Sequence, residues 1–333
     1  MQLVATHPGP EPEASEAAAC LLASGLELRH FGFMQTLHLE NSRLHLAIEP
    51  AAGASISSFA LRHEDRWHPV LRPTPAEAIA AGNSSEMCSF LLAPFSNRLT
   101  GARFSFEGRD YQLQANAEGG FAIHGCVRKR PWNVERQTAD HLQLSLRTRD
   151  FPDLDFPFPF EVLVTYGITE DTLSASLALT NTGHTAMPAG LGFHPYFQRS
   201  LFHSAENAEL RFAATGAYDS LSPETAALAL RPEQRFAISR AIPREGFDTC
   251  FAGWNHQAEI FWPDSQITAE LQADSALGHL ILYTPPEEPF FALEPVSNAN
   301  NGFNLLARNV PDSGVQVLAP TETLTAGFRL RLC

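Results

Sequence analysis

Two residues a hundred positions apart are of the types needed to move protons in both directions. His194 lies within Gly190-Leu191-Gly192-Phe193-His194-Pro195-Tyr196-Phe197, framed by glycines, a proline and aromatics. Such framing fixes an imidazole in a semi-apolar wall, where its ordinary pKa of about 6.5 lets it hold or release a proton near neutrality and so act as a general acid. Glu294 closes the apolar run Phe290-Phe291-Ala292-Leu293 just before Pro295. A carboxylate there is either a solvated strand end or a base whose pKa is raised by burial, and residue type alone leaves both readings open. Two further segments put polar residues where a plain core would not: Pro94-Phe95-Ser96-Asn97-Arg98 and Phe121-Ala122-Ile123-His124-Gly125. Taken singly, Arg98 reads as a surface charge and His124 as a structural hydrogen-bonder, while Gly125 would allow close backbone approach to a ligand.

Other motifs fail on spacing. In His63-Glu64-Asp65-Arg66-Trp67-His68 the second histidine comes one position too late to share a helical face with the first, as a zinc-protease helix requires. Pro195 occupies the third glycine position of a dinucleotide fingerprint, and Gly53-Ala54-Ser55-Ile56-Ser57 lacks the closing glycine of a nucleophile elbow. Nucleotide and serine-hydrolase chemistry therefore have no support in the sequence.

The elements that must position the four segments are strands. Leu44, Leu46 and Ile48, then Leu142, Leu144 and Leu146, then Leu173, Ala175, Leu177 and Leu179 alternate with polar neighbours, the period of half-buried strands. Further strand-like runs are 161–168, 278–283, 315–318 and 328–332. Only Pro75 to Ala81, closed by Gly82, reads as a helix in the body of the chain. The βαβ alternation of a parallel sheet is missing, so the expected fold is all-β, one large antiparallel sandwich or barrel over 29–333 with few short helices. Residues 1–28, Pro-rich and then Ala-rich, read as an appendage, either a short helix or a mobile arm. Phe151 to Phe160 (FPDLDFPFPF) reads as a loop pinned to the core by its phenylalanines, because proline donates no ladder hydrogen bond.

Charge and cysteine usage bound the partners. The 333 residues carry 23 Lys+Arg against 37 Asp+Glu, a net −14 that repels nucleic acid and anionic lipid alike. Five dispersed cysteines form no C-x-x-C pair, and no basic n-region with an apolar stretch opens the chain. A cytoplasmic protein without membrane or nucleic-acid partners is the expectation.

Taken together, the segments resemble the aldose 1-epimerase (galactose mutarotase) family, including its hexose-6-phosphate 1-epimerase branch. The resemblance runs from Gly53-Ala54-Ser55-Ile56-Ser57-Ser58 through Asn97-Arg98, His124-Gly125, Gly192-Phe193-His194-Pro195-Tyr196-Phe197, Phe247-Asp248 and Tyr283-Thr284-Pro285 to Glu294-Pro295. It departs in the amino-terminal extension and in Ser297-Asn298-Ala299-Asn300-Asn301. What it implies is a galactose mutarotase-like supersandwich that interconverts sugar anomers. Glu294 would be the general base on the anomeric hydroxyl and His194 the acid on the ring oxygen. Arg98 and His124 would bind the ring-oxygen region and hydroxyls, and Asp248 hydroxyls farther round the ring. No metal or organic cofactor is implied, and the partner is a small sugar bound by a monomer or homodimer. The alternative reading of Asp248 is a turn residue before Thr249. Trp254, Tyr196 and Phe290 are candidates for an apolar sugar platform or for core packing. The run Arg128-Lys129-Arg130 reads as a solvated loop or as a cationic pocket for a phosphorylated sugar. A non-catalytic sugar-binding protein, or a glycoside hydrolase using Glu294 and Asp248, is the competing class.

Overall fold

The computed structural model describes residues 35–218, 220–244 and 246–333. The expected appendage at 1–28 lies outside them. In the strand Thr172–Asn181 every second residue is buried, with Leu173, Ala175, Leu177 and Leu179 inward. Alternation of this kind belongs to a sheet with one face on a core. Nine strands make up this sheet, in the order Asn133–Gln137, His141–Arg147, Phe160–Ile168, Thr172–Asn181, Thr323–Leu332, Ile267–Ala273, Gln257–Trp262, Glu209–Phe212 and Arg240–Ala241. Each pairs with its neighbours antiparallel.

A second, eight-stranded sheet behaves differently. Its path runs Leu228–Ala229, Gly216–Tyr218, Asp248–Ala252, His279–Tyr283, Phe290–Val296, Gly192–Phe193 and Leu91–Leu92, and Tyr196–Gln198 also pairs with Phe290–Val296. Six of the seven residues in Phe290–Val296 are buried, with no alternation, because both faces of the strand are covered. On one face Phe291 and Leu293 join Phe193, Leu280, Leu282 and Phe251 in the main core. That core is shared with the nine-stranded sheet: Phe193 meets Phe328 at 5.0 Å and Phe251 meets Phe212 at 4.9 Å between ring centroids. On the other face Ala292 and Val296 pack with Phe90, Leu92, Tyr196, Cys250 and Ile281 in a smaller cluster. Glu294 and Tyr196, among the residues singled out in the sequence, belong to this second face.

The molecule is therefore all-β: among the described residues these two large sheets pack together, beside a four-stranded antiparallel sheet of Leu37–Glu40, Leu44–Glu49, Ser55–His63 and Arg66–Pro69, three two-stranded ladders and two six-residue helices. The helix Ala76–Ala81 forms where proline and glycine bracket it, with Gly82 left-handed at φ 62°. The second helix, Gly302–Ala307, corrects the expectation of a single one. At six residues it is too short to display a 3.6-residue period, although Phe303 and Leu305 bury one side of it. The FPDLDFPFPF segment is held as anticipated, with Phe156 stacked on Phe104 and Phe158 beside Tyr111, ring centroids 6.0 and 5.2 Å apart. No helix among the described residues is long and apolar enough to cross a membrane.

Candidate active site

Strand register brings the acid and base candidates together. Gly192 pairs with Val296 and Tyr196 with Ala292, so the residue midway, His194, falls opposite Glu294. Directly opposed positions on one face of an antiparallel pair hold their side chains in contact. Accordingly His194 Nε2 lies 3.2 Å from Glu294 Oε1. Both residues are buried, at 4% and 2% exposure, so Glu294 is no solvated strand end. Pro195 interrupts the strand, and the His194 amide turns to the other neighbour, donating to the Phe90 carbonyl at 3.0 Å.

The rings around His194 fix its plane. Phe90 stacks on it at 4.4 Å between centroids, Tyr196 lies tilted at 4.6 Å, and His124 stands edge-on at 5.1 Å. Burial pushes the imidazole well below its ordinary pKa, and the guanidinium groups of Arg72, Arg128 and Arg98 push in the same direction. Glu294 moves the opposite way. Burial raises its carboxyl well above the ordinary value and Asp248 adds to the rise, against the pull of Arg98. Glu294 Oε2, His194 Nδ1 and His124 Nδ1 are buried polar atoms with no hydrogen-bond partner. Each of the three is left able to accept or donate a hydrogen bond to a bound ligand or water.

Arg98 and His124 arrive on a two-stranded ladder, Arg98 pairing with Ile123. Both strands end in left-handed residues, Asn97 at φ 51° and His124 at φ 63°, a conformation costly for non-glycine residues and concentrated at functional sites. The His124 amide donates to the Asn97 carbonyl at 2.8 Å, locking the two turns together. Burial pushes His124 well below its ordinary pKa, helped by His194, Arg128 and Arg98. Arg98 is no free surface charge: its Nη1 donates to Asn97 Oδ1 at 3.0 Å and its Nη2 to Asp248 Oδ2 at 3.2 Å. Asp248 is the first residue of Asp248–Ala252, on the site-bearing face, rather than a turn residue.

Two expectations change. Gly125 does not make room for a ligand. At φ 66° its missing Cβ would lie 1.9 Å from the Ala93 carbonyl oxygen, so the glycine lets two backbone segments touch. The Arg128-Lys129-Arg130 run is not a solvated loop either. Lys129 is exposed and Arg130 pairs with Asp153 at 2.7 Å, but Arg128 is 6% exposed, with its guanidinium 5.1 Å over the Phe90 ring. Trp254 belongs to the core and donates to the Leu277 carbonyl, while Tyr196 and Phe290 pack edge to face at the site. The Ser297–Asn301 segment supports the site from below: Asn298 Oδ1 accepts the Ser96 amide, and the Asn301 amide donates to the Arg98 carbonyl. Phe90 and Arg72 escaped the sequence reading. Phe90 sits in an apolar run like any core residue, and Arg72 is a lone charge before a proline.

Comparison with known proteins bears on the family and the fold. Residues 35–331 match the family described as aldose 1-epimerase. An Escherichia coli K12 protein, YphB, described only as uncharacterized, is 30% identical over 276 residues, 79% of this chain and 89% of its own. A crystal structure from E. coli K12, assigned provisionally as an aldose 1-epimerase, superposes with a TM-score of 0.76 at 27% identity, covering 90% of this chain and 99% of that one. A galactose mutarotase-like protein from Clostridium acetobutylicum shares the fold, with a TM-score of 0.79 at 16% identity over 90% of this chain and 95% of that one.

Proposed function

The chain belongs to the aldose 1-epimerase family, and from that membership we propose that it interconverts the α and β anomers of an aldohexose by acid–base ring opening and reclosure. The observation that carries the reading is the buried His194–Glu294 contact at 3.2 Å. In a cyclic sugar the anomeric hydroxyl oxygen and the ring oxygen are bonded to the same carbon. A base and an acid that serve both must be close neighbours, as these two are.

Glu294 takes the proton from the anomeric hydroxyl as the carbonyl forms at C1. The C1–ring-oxygen bond breaks with its electron pair going to the ring oxygen, which receives a proton from His194. Rotation about the C1–C2 bond turns the other carbonyl face toward the C5 hydroxyl, and both transfers reverse to close the opposite anomer. Each positioned proton-transfer group typically contributes about 10²–10⁴-fold. Before opening, the pair must be carboxylate and imidazolium; afterwards it is carboxylic acid and neutral imidazole. Burial favours the second, uncharged arrangement at both residues, which lowers the open-chain state relative to the cyclic one.

Arg98 and Asp248, linked to each other, offer a planar donor fork and a carboxylate acceptor to the sugar hydroxyls. Tyr196 supplies an aromatic edge beside the acid. Anomer-resolved proton NMR of glucose and galactose with the purified protein tests the proposal: α–β exchange well above the spontaneous rate is expected, and exchange at the spontaneous rate for every aldose tried would refute it.

A further inference from the structure

The outer face of the four-stranded sheet carries a cluster that the sugar chemistry does not use. Leu39, Leu44 and Leu46 point into the main core, so the residues between and beside them, His38, Glu40 and His45, face the other way. Glu40 pairs directly with His45 across the strands Leu37–Glu40 and Leu44–Glu49, and His38 stands two residues before Glu40 on the same face. There the two imidazoles meet: His38 Nδ1 lies 3.2 Å from His45 Nε2, with ring centroids 5.3 Å apart. His38 is exposed and His45 half-buried. The Trp67 indole stands beside the His45 ring, 5.7 Å between centroids. A hydrogen bond between the two histidines needs one nitrogen as donor and the other as acceptor, so it holds a single proton. The same spacing suits a larger electrophile. First-row divalent metals bind imidazole nitrogen at about 2.0–2.1 Å, so two such ligands stand about 3.3–3.4 Å apart at a tetrahedral angle and about 2.9 Å apart at a right angle. The 3.2 Å separation falls between the two.

From this geometry we infer that His38 and His45 form a surface site for a divalent transition-metal cation of the Ni²⁺, Cu²⁺ or Zn²⁺ type, closed by the Glu40 carboxylate and water. Imidazole suits these ions, whereas Mg²⁺ takes oxygen ligands. Burial and the neighbouring His38 hold His45 below its ordinary pKa, against the pull of Glu40, so this ring is neutral and ready to ligate at neutral pH. On binding, the proton between the rings moves to the remote nitrogen of its own imidazole, and both histidines ligate uncharged. Among the described residues no third His, Cys, Asp or Glu already stands close enough to complete a three-ligand set; the carboxylate with the reach to do so is Glu40. Directly opposed antiparallel residues hold their Cβ atoms about 4.5–5.5 Å apart, a gap that a glutamate spans by changing rotamer. Arg62, beside Trp67, is paired with Asp65 at 3.2 Å and brings no unbalanced charge to the face. The bound ion would clip the edge strand Leu37–Glu40 to its neighbour and so stabilise the folded chain by mass action. The site shares no residue with the candidate active site, and its test does not depend on sugar turnover.

The test titrates nickel and zinc chloride into the metal-free full chain at neutral pH by calorimetry, with magnesium chloride as the oxygen-seeking control, using wild type, His38→Gln, His45→Gln and Glu40→Gln. Metal-free thermal unfolding of each variant checks that it folds like wild type. Trp67 supplies a local readout, because it is 39% exposed beside His45 while Trp132, Trp254 and Trp262 are buried, and bound Ni²⁺ quenches a nearby indole. Wild type is expected to bind one equivalent of Ni²⁺ with quenching and a raised unfolding midpoint, and to ignore Mg²⁺. Each histidine variant should lose at least roughly tenfold in Ni²⁺ affinity together with the quenching, since even outer partners of metal ligands act on about that scale. Glu40→Gln should lose less. No binding by wild type, or equal affinity in wild type and His45→Gln, would overturn the site, and full affinity in Glu40→Gln would overturn the carboxylate's part in it.

Discussion

His194 and Glu294 touch because Gly192 pairs with Val296 and Tyr196 with Ala292, a register that sets an imidazole opposite a carboxylate on the site-bearing face of the eight-stranded sheet. A slip of one residue would turn one of them into the main core. The contact is thus built into the backbone pairing rather than left to a flexible loop. Each partner keeps one buried polar atom free for a ligand, Glu294 Oε2 and His194 Nδ1.

The pair should give a bell-shaped pH profile for exchange, because the working form carries one proton between two sites. At low pH both hold protons and no base is available. As pH rises the first proton leaves at a value below the ordinary 6.5 of histidine, and activity appears. The second leaves above the ordinary 4.5 of glutamate, and activity declines. Initial exchange rates corrected for the spontaneous reaction check this; a rate that climbs steadily into alkali would contradict it.

Glu294→Gln should stabilise the fold at alkaline pH. A carboxyl whose folded pKa is raised contributes its full stability below its unfolded value, and that contribution is lost as pH rises through the folded value. Glutamine never ionises and can still meet His194. A stability above wild type at pH 8, with the difference shrinking toward pH 5, is expected in urea unfolding. A variant less stable than wild type at pH 8 would mean that Glu294 is a structural anchor.

Removing the Arg98 fork should weaken sugar binding more than it slows chemistry. Arg98→Ala deletes donors to Asn97 and Asp248 and any it offers to a sugar, and hydrogen bonds to charged groups are worth about 1.5–3 kcal/mol. KM should rise roughly tenfold to a hundredfold, with a smaller change in kcat. A kcat loss at unchanged KM would move Arg98 into the proton-transfer machinery.

Gly125→Ala should be among the most damaging small changes, since its Cβ would meet the Ala93 carbonyl in a left-handed turn. Gly82→Ala is the control. It has the same backbone hand at φ 62° but open space around it, and should cost only about 1–2 kcal/mol. Comparable midpoints for the two variants in denaturant unfolding would show that the Ala93 contact is not tight.

The sandwich was legible because alternation reports one buried face, as at Leu173, Ala175, Leu177 and Leu179. The site was legible only where residue type was unusual for its surroundings. His194 among glycines and aromatics, and Glu294 after an apolar run, stand out in the sequence; Phe90 and Arg72 do not, because their roles come from what packs beside them. Arg128 was visible as a charge, but not its burial, since a local run of basic residues carries no information about the Phe90 ring that covers it. The reading of Gly125 went wrong for a related reason. A glycine shows that something approaches closely, and only the fold shows that it is the Ala93 backbone.

The most direct measurement is saturation transfer between the α and β anomeric proton signals of glucose and glucose 6-phosphate, comparing wild type with folded Glu294→Gln under identical conditions. The account predicts rapid transfer with wild type on at least one of the two sugars and a loss of about 10²–10⁴-fold in the variant. Transfer that survives unchanged without the carboxylate would contradict it.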